Sequence, residues 1–308
     1  MIYTVTLNPA IDYVVTMDQL KEGTVNRVLT EEFYPGGKGI NVSQILNEHQ
    51  APNIALGFIS GFTGMFIEDS LRQKGIKPDF ISLKQGYSRI NLKAKTPTEE
   101  TEINGQGPTV TSKELEEFYL KLDQLKSGDI LILAGSLVPG LPEDFYEQIM
   151  KKLESKQIKV IVDATKNTLL NTLKYQPFLI KPNHHEIAEL FEVKIETTSE
   201  LLMYGQKLKD MGAQNVLISM GGQGAILLAA DGEIYQSNVP IGTVKNSVGA
   251  GDSMVAGFTA GYLQSEDYAE ALKLGAASGS ATAFSSDIAK GEAIRMLQTE
   301  IQVKKIST

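Results

Sequence analysis

The sequence predicts an α/β protein: a single domain on a mainly parallel sheet with helices on both faces, carrying a small separate β-flap. Two observations predict the core. Short apolar, β-branched runs recur at residues 2–7, 53–59, 129–134, 158–162, 178–180, 216–219 and 225–229. Between most of them lie segments with apolar residues at helical spacing. Strands that alternate with helices form parallel sheets with right-handed crossovers. A third observation predicts the flap. Residues 12–34 and 87–104 break into short alternating pieces between polar turns, such as Tyr13-Val14-Val15, Asn26-Arg27-Val28-Leu29 and Ser88-Arg89-Ile90-Asn91-Leu92-Lys93-Ala94. Two such segments pair into one antiparallel sheet outside the main layer.

Taken in order, the first run stops at Asn8-Pro9, and Asp12 follows at once. Pro35-Gly36-Gly37-Lys38-Gly39 then opens an amphipathic helix that ends near His49. Residues 64–73 and 112–126 read as helices, the second with an acidic outer face. The loop Gly135-Ser136-Leu137-Val138-Pro139-Gly140 follows the 129–134 strand. Pro142 is expected to open a helix to about residue 155, because its missing N–H would be an orphan there anyway. Met220-Gly221-Gly222-Gln223-Gly224 separates two strands. The chain reads as strand before Asn246 and as helix after Gly251, and from Tyr268 onward it reads as helical, broken near Ser285.

Composition narrows the function. The chain has 308 residues, 42% of them hydrophobic, enough for one large core. Its net charge is −8 and it has no basic run, which argues against a protein that grips a nucleic-acid backbone. It has no cysteine, so disulfides and thiolate metal sites are excluded. Only His49, His184 and His185 offer imidazole, too few for a zinc site. No apolar run approaches the ~18 residues of a membrane helix. The N-terminus has no basic leader and starts as strand, so no secretory signal, no membrane contact and a cytoplasmic location are expected.

The stretch Asn246-Ser247-Val248-Gly249-Ala250-Gly251-Asp252-Ser253 is the most informative. It places glycines where a loop becomes a helix N-terminus, whose unpaired N–H groups and partial positive charge make a cradle for an anion. A carboxylate there would repel a phosphate unless it serves to accept a proton from an attacking hydroxyl. The helix terminus is expected to keep Asp252 ionised. The plainer alternative is that Asp252 caps the helix and the glycines make a turn. A second glycine-rich helix start carries Lys38 and Asn41, without P-loop spacing. Its glycines would admit a flat ligand and Asn41 would bond hydroxyls; otherwise it is a tight turn with an exposed lysine. Asp12, Ser136, Asn183, Gly221, Gly222 and Asp252 all follow predicted strands, so they could share the C-terminal edge of the sheet, where such folds bind ligands.

Three motifs, Gly36-Gly37-Lys38-Gly39-Ile40-Asn41, Lys181-Pro182-Asn183-His184-His185-Glu186 and Val248-Gly249-Ala250-Gly251-Asp252-Ser253, occur in this order across essentially the whole chain. Together they resemble the ribokinase-like sugar kinases, the PfkB family. Thr6-Leu7-Asn8-Pro9-Ala10-Ile11-Asp12 and the 135–140 loop are similar to its phosphosugar branch. The resemblance implies a three-layer α/β/α core with a β-sheet lid. It implies phosphoryl transfer from MgATP to the C6 hydroxyl of D-fructose 1-phosphate, with tagatose 6-phosphate and fructose 6-phosphate as rival acceptors. Asp252 would be the base, and Gly249, Ala250 and Gly251 the anion hole. Asn183 and Glu186 would order Mg²⁺. Ser219, Gly221, Gly222 and Gly224 would belong to the nucleotide loop, and Asp12, Gly37 and Asn41 would bind sugar hydroxyls. The lid, residues 12–34 and 87–104, would also be the contact of a homodimer.

Chemistry adds to this set. The phosphate already on the substrate needs cations away from Asp252, and Arg27, Lys38 and Arg89 are the candidates, with Ser136 as a neutral donor. Lys181 is placed toward a nucleotide phosphate, and Gly279, in a run of small residues, toward the adenine. His184 and His185 read as helix-surface residues. Two other classes compete: a catalytically silent regulator that binds a nucleotide or sugar phosphate on the same fold, and a dinucleotide oxidoreductase. The oxidoreductase lacks a G-x-G-x-x-G after the first strand, where the chain reads Asn8-Pro9-Ala10.

Overall fold

Both faces of the strand Ile130–Ala134 are covered. Ile130, Ile132 and Ala134 pack into one hydrophobic cluster and Leu131 and Leu133 into another. A strand buried on both sides reads as a continuous apolar run, which is why this stretch is legible in the sequence. The computed structural model describes residues 1–307. Its elements are β1 (Ile2–Thr6), β2 (Ala10–Thr16), β3 (Thr30–Gly36), α1 (Lys38–Glu48), β4 (Asn53–Ser60), α2 (Gly61–Gln73), β5 (Lys77–Pro78), β6 (Ile81–Leu83), β7 (Arg89–Lys95), β8 (Glu100–Asn104), α3 (Ser112–Asp123), β9 (Ile130–Ala134) and α4 (Phe145–Leu153). They continue with β10 (Lys159–Asp163), α5 (Lys166–Leu173), β11 (Leu179–Ile180), α6 (His184–Leu190), α7 (Thr198–Asp210), β12 (Asn215–Ser219), β13 (Ala225–Leu228), β14 (Ile234–Ser237), α8 (Ala250–Ser265), α9 (Tyr268–Ala283), α10 (Gly291–Gln298) and β15 (Val303–Ile306).

The main sheet has eleven strands in the order β15-β14-β13-β12-β11-β10-β9-β1-β4-β5, with β6 also paired to β4. From β12 through β5 the neighbours are parallel. One face packs against α3, α4, α5, α6 and α7 through Phe118, Phe145, Ile149, Leu169, Ile187 and Leu201. The other packs against α1, α8, α9 and α10 through Val42, Ile45, Val255, Leu272 and Ile294. This is the three-layer α/β/α arrangement the sequence implies.

A second sheet of four strands, β3-β2-β7-β8, stands apart. Its outer pairs are antiparallel, but the central pair β2–β7 is parallel, against the all-antiparallel expectation. Both strands follow parallel members of the main sheet, β1 and β6, and so leave it in the same direction. Residues 26–29 form no strand and lie in the excursion between β2 and β3.

Other differences are local. The helix expected from Pro142 starts at Phe145, after a turn in which the Phe145 amide bonds the Pro142 carbonyl. Residues 238–249 are irregular rather than strand. The C-terminal stretch ends in β15, whose short run Val303-Lys304-Lys305-Ile306 is antiparallel to β14 at the sheet edge. Two lysines in four residues hide such a strand from a hydrophobicity reading, and suit an edge. Among the described residues no helix is long and apolar enough to cross a membrane.

Candidate active site

The strands of the parallel region end in polar residues around one cleft of about 1180 Å³. Asn8 follows β1, Gly135 and Ser136 follow β9, Asp163 ends β10, Lys181 and Asn183 follow β11, and Ser219 ends β12; all line the cleft. The start of α8 closes one side and the second sheet another, through Asp12, Arg89, Asn91, Lys93 and Asn104.

Gly249 sits just before α8 with φ 78°, and no side chain caps the helix. The Ala250 amide bonds the Ser247 carbonyl. The amides of Gly251 and Asp252, next in the first turn of a 16-residue helix, have no backbone partner among the described residues and can serve an anion. Asp252 is therefore not the cap. Its side chain is 6% exposed and accepts a 2.8 Å hydrogen bond from Asn41 Nδ2. Burial pushes the Asp252 carboxyl up to about 6, and the charge of Asp163 pushes the same way; Lys38, the Asn41 bond and Lys181 oppose them. The expected pull of the helix terminus toward the ionised form thus meets an opposing effect, desolvation, which moves this carboxyl above its usual range.

Asn41 lines the cleft, and one N–H of its amide nitrogen bonds Asp252, which leaves its other N–H and its oxygen to meet a sugar hydroxyl. Gly37, at φ 117°, precedes α1 and faces Thr6 so closely that a Cβ would collide with its methyl group. The glycines there dock α1 on the end of β1, and Gly37 still lines the cleft. Lys38, the first residue of α1, donates to Asp163 Oδ1 at 3.2 Å. Asp163 holds the Lys38 ammonium well above the usual lysine range, against the opposing effect of burial.

At the second sheet, Asp12 accepts from Asn91 Nδ2 and Lys93 Nζ, both at 3.0 Å. Arg89 Nε donates to the Asn8 carbonyl at 3.1 Å, and burial lowers the basicity of its guanidinium. Arg27 is exposed in the β2–β3 excursion and is not among the residues around the cleft. A polar stretch there forms a surface loop, and the cations that reach the cleft are Lys38, Arg89, Lys93 and Lys181.

The Asn183/Glu186 pair forms a reciprocal cap on α6. Asn183 Oδ1 accepts from the Glu186 amide at 2.8 Å, and Glu186 Oε2 accepts from the Asn183 amide at 2.7 Å. The cap uses one lone pair of the Asn183 oxygen and one Glu186 oxygen, which leaves the other Glu186 oxygen to meet a cation. Among the described residues no three acidic or imidazole side chains cluster to hold a metal alone. The available Glu186 oxygen in the cleft wall is a donor of the kind Mg²⁺ takes, with waters and substrate phosphates completing its shell. His184 and His185, on the surface of α6, line the cleft. Their rings lie tilted to each other with centroids 3.9 Å apart, and His184 Nδ1 lies 3.4 Å from the Ser219 carbonyl.

Gly221, Gly222 and Gly224 line the far end with Ser219. Gly279 is there too, but a Cβ on it would press on the Ala250 carbonyl at 3.0 Å, so tight packing of α9 on α8 also requires it. Asn8, Lys93 and Asp163 were not singled out from the sequence. For Lys93 a signal existed: in a strand, Arg89, Asn91 and Lys93 fall on one face. Asp163 is a polar end to a buried strand, the same cue that marks Asp12.

Comparisons with known proteins agree with this geometry. The model of the pfkB family of carbohydrate kinases matches residues 5–292. A 1-phosphofructokinase of Bacillus subtilis is 45% identical over 99% of this chain and 100% of its own length. A D-tagatose-1-phosphate kinase of Bacillus licheniformis is 37% identical over 99% of each. The solved Escherichia coli phosphofructokinase-2 in complex with substrates and products superposes with a TM-score of 0.92 at 25% identity, covering 97% of this chain and 98% of that one. With a family match that runs almost from end to end and near relatives that span the whole chain, this protein belongs to the pfkB family of carbohydrate kinases.

Proposed function

We propose that the chain transfers the γ-phosphoryl group of ATP to the C6 hydroxyl of D-fructose 1-phosphate, giving fructose 1,6-bisphosphate and ADP. The observation that carries this reading is Asp252: a buried carboxylate with a pKa near 6, two residues inside an uncapped helix start that faces a polar cleft. A base near neutrality takes a hydroxyl proton at working pH. In the step, the bond from the C6 oxygen to the γ-phosphorus forms, its bond to the β–γ bridging oxygen breaks, ADP leaves, and the hydroxyl proton goes to Asp252. The amides of Gly251 and Asp252 meet the charge of the group in flight, where preorganised donors act most strongly. Lys38 and Lys181 add positive charge beside them.

Glu186 would hold Mg²⁺ with the nucleotide phosphates, and the ion would neutralise charge on them. Asn183 acts by fixing Glu186. Ser219, Gly221, Gly222 and Gly224 would border the nucleotide, with Gly279 behind the adenine. Arg89 and Ser136 would take the C1 phosphate, and Asp12 the sugar hydroxyls, with Asn91 and Lys93 setting its orientation. The four-stranded sheet would close as a lid and exclude water, which competes with the sugar hydroxyl. Its outer side exposes Phe33, Ile90 and Ile103, which supports a homodimer formed through it. ATP and sugar phosphates are charged and stay inside the cell, so we place the enzyme in the cytoplasm.

The second reading is D-tagatose 1-phosphate, favoured by the tagatose-1-phosphate kinase relative and differing from the first at C4 alone. Both keep the phosphate on C1, unlike the 6-phosphates. A panel of fructose 1-phosphate, tagatose 1-phosphate, tagatose 6-phosphate and fructose 6-phosphate with MgATP, read by ADP release, tests this. The highest kcat/KM is expected with fructose 1-phosphate; preference for a 6-phosphate, or no turnover, contradicts the proposal.

A further inference from the structure

Asp163 is 1% exposed at the end of β10, in the wall of the cleft. Its Oδ1 takes both Lys38 Nζ at 3.2 Å and Lys181 Nζ at 3.6 Å. Its Oδ2 is buried with no partner among the described residues. Lys38 comes from the start of α1 and Lys181 from the end of β11, so one carboxylate ties three elements together. Lys181 is itself 6% exposed, and its ammonium would lie 3.0 Å from a Cβ placed on Gly251. Lys181 therefore sits against the first turn of α8, and the charges of both lysines act on Asp252.

Two ammonium groups this close repel each other, and a buried charge without a partner is costly. Asp163 offsets both effects. Taken as a group, Asp163, Lys38 and Lys181 carry one net positive charge, and Asp252 faces that group. A cation held rigidly at the place where charge develops stabilises the transition state more than one that must reorganise.

Resting on the kinase reading above, we infer that Asp163 is a positioning residue for phosphoryl transfer: it anchors Lys38 and Lys181 beside the α8 start, so that both cations face the migrating group and Asp252. It touches neither the phosphoryl group nor the acceptor. Because Asp163 faces Asp252 with negative charge, it also acts on the titration of that carboxyl. The other polar groups facing Asp252 are Lys38 and Asn41 from α1 and Lys181 from the end of β11.

The test is Asp163→Asn, with folding checked by circular dichroism. Loss of anchorage lowers kcat about 10–100-fold, the scale of a misplaced catalytic group, while both KM values stay within about threefold, since the lysines act in the transition state. Removal of the like charge moves the acid limb of kcat/KM down by about one pH unit. A general structural defect would leave that limb in place. The ¹³Cγ shift of Asp252, titrated without substrates, gives the same readout whatever the acceptor, so it stays decisive even if the sugar panel fails. If Asp163→Asn does not fold, Asp163→Asn/Lys38→Met removes both members of the pair and is compared with Lys38→Met alone; its Asp252 titration is expected about one unit lower. Coinciding titrations, or unchanged kcat with a raised KM, overturn the inference.

Discussion

Asp252 stands in conflict with the fold that holds it. Its carboxyl would ionise near 3.9 in an unfolded chain but is pushed up to about 6 here. Between those values the folded state holds a proton that the unfolded state has lost, so stability falls as pH rises through that window and stays lowered above it. Asp252→Asn removes the penalty. Its unfolding free energy at pH 8 is expected to exceed the parent's by about 1–3 kcal/mol, the conversion of a shift of roughly two units. The difference should vanish below about pH 4. Urea melts at the two pH values check it, and a variant less stable at pH 8 contradicts it. Function has the opposite requirement, since the base must be ionised, so kcat/KM should drop on the acid side of about pH 6. Arg89 offers a separate test at this scale. Its Nε is taken by the Asn8 carbonyl, which fixes the guanidinium at the cleft. Arg89→Ala is expected to weaken sugar-phosphate binding by about 1.5–3 kcal/mol, the scale of a charge-assisted bond. An unchanged KM for the acceptor would shift that role to Lys93.

At the scale of elements, the position of Asp252 depends on how closely α8 lies on α9. A Cβ on Gly257 would meet the Leu274 carbonyl oxygen at 2.5 Å, and one on Gly261 would meet Ala271 Cα at 2.9 Å. Gly257→Ala is expected to destabilise the protein by about 1–3 kcal/mol, as overpacking does, in denaturant unfolding; a neutral result would mean the helices can separate freely. This pairing also shows what the sequence discloses. The glycines and alanines of α8 and α9 were visible as small residues, but not which of them touch. The buried strands β1, β9, β10 and β12 were legible because each holds a short run of apolar and β-branched residues. β14 and β15 were not, since an antiparallel edge needs no such run. The helix start at Asp252 could be read from Gly249 and Gly251, whereas its raised pKa could not. That shift arises first from burial and then from the charge of Asp163, 89 positions away in the chain and brought near by the sheet. The resemblance implied a metal pair at Asn183 and Glu186, while locally the same spacing also satisfies two orphan amides as a cap.

For the whole molecule, two sheets divide the work: the parallel one supplies strand ends to the cleft, and the smaller one covers it. Phe33 and Ile103 on the outer side of the smaller sheet are exposed, as are Phe62 and Met65 on α2. The proposed homodimer would bury such exposed apolar area. Light scattering is expected to give twice the 33.6 kDa chain mass. Ile103→Glu should raise the dimer dissociation constant more than about tenfold. A monomeric parent, or a variant that dimerises as well as the parent, contradicts an interface through this sheet. All of these tests take second place to the chemistry at α8. The most direct measurement is single-turnover phosphoryl transfer by Asp252→Asn beside calorimetric ATP binding. The account predicts a rate lower by about 10²–10⁴ with nucleotide affinity intact. Near-parental transfer would contradict it and remove Asp252 as the base.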